Sequence, residues 1–189
     1  MKKFICFLAL ILILAACGTT NEDLDDKSYS VYPHEAEAEA DDFVYRLTTE
    51  KDVYDEFSDT AIFAELTYVG EKESIDIYHA ASPFYFYLEE RTRDYDIDYA
   101  MEDPLLTTTL KKGEPLREKY TFAGGYSDTD NKAYIEFIET IVNEGFPEGN
   151  YIINGSAQFS TSEPGETIDE ATLNMNVNIG FTVTKGVNE

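Results

Sequence analysis

From Phe43 onward, apolar and polar positions alternate with a period of two, the pattern of half-buried β-strands. Phe43, Tyr45 and Leu47 alternate with Val44, Arg46 and Thr48 in a first strand. Ile62, Ala64, Leu66 and Tyr68 share one face of a second, which ends at Gly70. Ile75, Ile77 and His79 alternate with Asp76 and Tyr78 in a third. Phe84, Phe86 and Leu88 alternate with Tyr85, Tyr87 and Glu89 in a fourth, entered through Pro83. Weaker strands are predicted near Tyr95 to Met101, Leu105 to Leu110 and Leu116 to Phe122. Another runs from Tyr151 to Phe159, after the turn Pro147-Glu148-Gly149-Asn150. The clearest strand comes last. Leu173, Met175, Val177, Ile179, Phe181 and Val183 lie on one face, and Thr172, Asn174, Asn176, Asn178, Gly180 and Thr182 on the other. Such a division suits an antiparallel sheet with one face in water.

A single helix, about 131–144, interrupts the strands. Ser127, Asp128, Thr129 and Asp130 supply candidate N-caps, and their acids suit the positive end of a helix. Tyr134, Phe137, Ile138, Ile141 and Val142 form an apolar stripe at helical spacing. Gly145 suits the left-handed stop, and Pro147 prevents continuation. Short strands separated by turns, with one helix, predict an antiparallel β-sandwich over 43–189 as a single domain. The order of strands, and the run Phe146-Pro147-Glu148-Gly149-Asn150-Tyr151 leading into a late strand, resemble an immunoglobulin-like sandwich. Over residues 55–160 the pattern is also similar to the intracellular proteinase inhibitor family of bacilli. That resemblance implies proteinase inhibition; the chain departs from the family in its lipid-anchor signal, its lack of Trp and its inserted helix.

The N-terminus follows another rule. Lys2 and Lys3 precede 13 apolar residues from Phe4 to Ala16, and Leu14-Ala15-Ala16-Cys17 closes the run. A membrane-spanning helix needs roughly 20 such residues. The segment resembles a bacterial lipoprotein signal peptide ending in a lipobox, removed after Ala16 so that Cys17 becomes the lipidated N-terminus. More generally the chain resembles lipoproteins of low-GC Gram-positive bacteria. The resemblance implies anchorage on the outer face of the cell membrane, where two or more acyl chains hold a protein stably. Residues 18–42 carry nine acids and one lysine, and Glu35-Ala36-Glu37-Ala38-Glu39-Ala40-Asp41-Asp42 has low complexity. Like charges without basic partners oppose helix, so 17–42 is expected to be a flexible acidic tether.

The net charge of −24 becomes −26 once Lys2 and Lys3 leave with the signal. Nucleic acid and anionic surfaces repel such a chain. Cys6 leaves with the signal and Cys17 is acylated, so the domain is expected to fold without a disulfide. Fourteen Tyr, twelve Phe and no Trp fit an aromatic-filled β core.

Catalytic constellations are sparse. The two histidines are His34 in the acidic segment and His79 on a strand, where Asp76 offers half a dyad. A satisfied strand histidine is the expectation. No Gly-x-Ser-x-Gly occurs, Gly124-Gly125 lacks the lysine of a phosphate loop, and one domain histidine without free cysteine cannot make a usual zinc set. Thirty-eight acids make any single carboxylate pair uninformative for hydrolysis, so a carboxylate-dependent hydrolase is only the lesser alternative to a non-enzymatic protein.

Calcium is the one cofactor the pattern admits. Asp94, Asp96 and Asp98 alternate along a strand, and Asp128 and Asp130 precede the helix. Neither run is an EF-hand: Tyr99 stands at the sixth position of the first, and Lys132 and Ala133 occupy the fifth and sixth of the second. Tyr85 and Tyr87 are candidates for a binding surface, half exposed opposite the inward Phe84 and Phe86, and the Asn174, Asn176, Asn178 ladder is a candidate polar face. The expected function is therefore a membrane-anchored interaction module for a protein or peptide partner, with calcium or small-ligand binding as the alternative.

Overall fold

The computed structural model describes residues 32–162 and 172–186. The signal segment, Ala16 and Cys17 lie outside the described residues. The described residues form two packed β-sheets with one helix, the predicted β-sandwich.

The first sheet contains β1 (Glu35–Ala40), β2 (Phe43–Thr49), β4 (Ile62–Tyr68) and β9 (Leu116–Lys119), in the order β1-β2-β4-β9 and antiparallel throughout. The second is organised around β10 (Gly149–Ser160) and β11 (Thr172–Thr184), paired from Gly149↔Val183 to Ser160↔Thr172. On its other edge β10 pairs with β6 (Phe84–Glu90), and beyond it, at Ser160↔Tyr78, with β5 (Ser74–His79). Two short strands extend this sheet: β7 (Tyr95–Ile97) pairs with β6, and β8 (Leu106–Lys111) with β5. The final member, β3 (Val53–Asp55), runs parallel to β11 and is the one departure from antiparallel pairing among the described strands.

The core lies where the inward faces meet. Tyr45, Leu47, Ile62 and Leu66 of the first sheet and Phe84, Ile153 and Ile179 of the second are completely buried. The sheets meet closely at Gly155: a Cβ there would lie 2.6 Å from both Leu47 Cδ2 and Tyr45 Oη. Aromatic rings cluster around Tyr151. Tyr151 stacks on Phe181 at 5.1 Å, and Phe146 meets both edge-on at 5.0 and 5.5 Å.

The tether reading fails over residues 35–40. Glu-Ala alternation is itself a period-two pattern, and β1 uses it as such. Ala36, Ala38 and Ala40 pack against the core, while Arg46 on the neighbouring strand lies 3.0 Å from Glu37 and 3.6 Å from Glu35. One cross-strand arginine supplies the counter-charge that the segment lacks on its own. Asp41, with φ 49°, turns the hairpin into β2. The ordered domain therefore includes residues N-terminal to Phe43.

The helix α1 (Lys132–Glu144) forms where predicted, with two differences. Its N-cap is Asn131, whose side chain accepts from the Tyr134 N–H at 2.8 Å. Ser127 to Asp130 instead close their own turn, with Ser127 N–H donating to Asp130 Oδ2 at 2.6 Å. Val142 is 63% exposed, because Tyr134, Phe137, Ile138 and Ile141 already complete a narrow i, i+3, i+4, i+7 stripe. Gly145, at φ 109°, donates its N–H to Ile141 O and ends the helix.

Candidate functional site

An open cleft of about 680 Å³ lies between β7 with its continuation to Ala100, the segment 123–127 and the first turn of α1. Each wall has a local cause. The β6–β7 turn is latched by Glu90, fully buried, whose carboxylate accepts from the N–H groups of Thr92 at 2.9 Å and Arg93 at 2.8 Å. Arg93 lies 3.2 Å from the same carboxylate, donates to Glu148 O and places its guanidinium over Phe137. That latch delivers Asp94, with φ 60°, to the mouth of the cleft. The Asn131 cap orients the first turn of α1, and with it Tyr134.

Four aspartates and four tyrosines line this space: Asp94, Asp96, Asp98 and Asp130 with Tyr95, Tyr99, Tyr126 and Tyr134. The remaining lining residues are Ala100, Ala123, Gly125, Ser127 and Asn131, so among the described residues no lysine or arginine contributes. Tyr95 meets Tyr134 edge-on at 5.2 Å and Phe137 at 5.1 Å, which ties the strand wall to the helix wall. Tyr134 donates to Gly125 O at 3.3 Å. Burial first, then the fields of Asp130, Asp98 and Asp96, hold its phenol above the ordinary tyrosine value. Three aspartates from two separate segments thus act on one hydroxyl. Tyr126 donates to Glu139 at 2.9 Å, a bond that likewise raises its phenol.

The structure brings together four of the five predicted acidic candidates, two segments that lie more than thirty residues apart in the chain. Asp128 stays in the exposed turn outside the lining. Among the described residues, no group of three or more His, Cys, Asp or Glu side chains is placed to hold a metal ion. The aspartates line a common space without converging on one point.

Tyr85 and Tyr87 lie elsewhere, on the outer face of the second sheet. There they pair with Ser156 and Asn154 of β10, which in turn pair with Asn176 and Asn178 of β11. Tyr85 is half-buried and Tyr87 exposed. The tyrosines and the asparagine ladder therefore share one face, a register invisible along the chain. His79 is buried, with Nδ1 2.8 Å from Ala80 O and Nε2 2.8 Å from Thr108 Oγ1, while Asp76 accepts from Thr109. The satisfied-histidine expectation fits this geometry.

The four cleft tyrosines went unremarked as site residues in the sequence. Three of them adjoin or nearly adjoin flagged acids, as in Asp94-Tyr95-Asp96-Ile97-Asp98-Tyr99, and that interleaving was the available signal. Tyr134 carried none, because its helical spacing placed it in the core stripe. Comparison with family models, with curated proteins and with solved structures finds no match to this chain.

Proposed function

We propose that this chain is a non-enzymatic binding module, held at the outer face of a bacterial cell membrane by lipid on Cys17, and that the cleft between β7 and α1 receives a protein or peptide partner. The observation that carries the reading is the cleft itself: a concave site with aromatic side walls, a few polar groups and rigid elements on two sides. All four aspartates in it are exposed. A hydrolytic acid must be shielded from water to keep its proton at neutral pH, so their exposure favours recognition over chemistry.

Site-specific cross-linking in intact cells tests the docking assignment. A photoreactive residue at Tyr126, in the cleft, is expected to capture one recurring envelope protein. The same residue at Val142, exposed on α1 outside the cleft lining, is expected not to capture it. Equal capture from both positions, or none from either, would sink the assignment. Anchorage is tested separately. Cys17→Ser is expected to abolish labelling by a fatty-acid probe and to release the chain from membranes; a variant that stays labelled and bound would refute a lipid on Cys17.

A further inference from the structure

We infer that the cleft selects a cationic segment: an extended stretch of a partner protein presenting lysine or arginine side chains to the tyrosines and aspartates. The inference rests on the binding-module reading above and adds the ligand's chemistry to it. Four features of the cleft support it together. Among the described residues its acids come with no basic residue in the lining to neutralise them. Four tyrosines line the cleft beside those acids, and a cation is attracted electrostatically to the face of an aromatic ring. The fields of Asp96, Asp98 and Asp130 already act on the Tyr134 hydroxyl, so negative potential is concentrated at the junction of the two walls. Finally, β7 has β6 as its sole strand neighbour among the described residues.

That last feature distinguishes a peptide from a free amine. Asp94 to Asp96 and Asp98 to Ala100 line the cleft along β7 and just beyond it. A strand with one unpaired side accepts an extended chain by main-chain hydrogen bonds over Tyr95–Ile97, up to the point where the Ala100 N–H already donates to Ala123 O. Alternate side chains of such a segment then fall toward the cleft. A volume of about 680 Å³ exceeds what one ammonium group fills and suits several side chains of a bound segment. Arginine fits best, because its planar guanidinium both stacks on tyrosine and forks across a carboxylate.

Calorimetry on the full-length chain in neutral detergent tests this, using as probe an amidated ten-residue peptide of alternating Arg and Ala. The matched control replaces each Arg by citrulline, which has the same shape without the charge, and spermidine serves as the free polyamine. The Arg peptide is expected to bind at least tenfold more tightly than either. Asp96→Asn with Asp98→Asn is expected to weaken it about fivefold, since exposed ion pairs are individually modest. Glu71→Gln with Glu73→Gln removes equal charge from an exposed turn and is expected to change affinity less than twofold. Tyr126→Leu is expected to weaken binding while Tyr126→Phe preserves most of it.

Equal binding of the Arg and citrulline peptides overturns the cationic class while leaving a peptide cleft in place. Spermidine binding as tightly as the Arg peptide overturns the extended segment. Equal losses from the cleft and turn acid pairs reduce the effect to the overall charge of the chain and overturn the site. No binding by the Arg peptide refutes the inference but not the binding-module reading, which the Tyr126 cross-link decides independently.

Discussion

Glu90 supports the cleft without entering it, and its removal gives the most calculable perturbation in the molecule. The side chain has no exposed surface, and its two oxygens accept from the Thr92 and Arg93 amides at 2.9 and 2.8 Å. Truncation in Glu90→Ala deprives both amides of a charged acceptor. Hydrogen bonds to charged groups contribute about 1.5–3 kcal/mol each. The turn borders solvent, so freed amides recover part of that from water, and Arg93 is 36% exposed, so loss of its ion pair adds little. A loss of about 3 kcal/mol follows, or about 6–12 °C in Tm for a domain of this size. Glu90→Gln keeps one carbonyl acceptor and is expected to lose about half as much. Urea unfolding at neutral pH measures both variants, and hydrogen exchange at the Thr92 and Arg93 amides shows whether the turn has opened. A loss under about 0.5 kcal/mol for Glu90→Ala, the range of ordinary surface changes, would refute the latch.

Three further expectations follow from the packing and charge. Gly155→Ala places a methyl group 2.6 Å from Leu47 Cδ2 and Tyr45 Oη, both on fully buried side chains, and should cost about 1–3 kcal/mol by overpacking; an unchanged urea midpoint would mean the sheets separate freely. Burial raises the phenols of Tyr45, Tyr120 and Tyr151 well above the ordinary value of about 10. Above that pH the unfolded chain releases these protons while the native state keeps them, so stability should fall as pH rises past about 10 and hold below it. A denaturation midpoint that stays flat to about pH 11 would contradict this. Calcium and magnesium should raise Tm by small, equal amounts through screening, because among the described residues no three acids are gathered around a point; a saturating, calcium-specific rise lost in Asp128→Asn/Asp130→Asn would support calcium binding instead.

Much of the sandwich was legible because period two is a local signal. Phe43 to Thr49, Ile62 to Tyr68, Phe84 to Glu90 and the last strand all appear where alternation places them. The failures have separate causes, each a partner or a length that alternation does not show. Glu35 to Ala40 read as tether because its counter-charge, Arg46, belongs to the next strand, and β3 was too short to show a period. Asn131 won the cap over Ser127 to Asp130 because those residues hydrogen-bond one another. At the site, the aspartates stood out as runs, but their meeting with Tyr134 depends on α1 packing beside β7 through Tyr95 and Phe137. No spacing rule encodes that contact.

The central claim is that one cleft, rather than the acidic surface at large, recognises a cationic segment. Amide chemical-shift mapping of the chain during titration with the Arg-Ala peptide tests it most directly. The account predicts saturating shifts confined to residues 94–100 and 123–134, surviving at physiological salt. Shifts scattered over the acidic surface, or centred on Tyr85 and Tyr87, would contradict it.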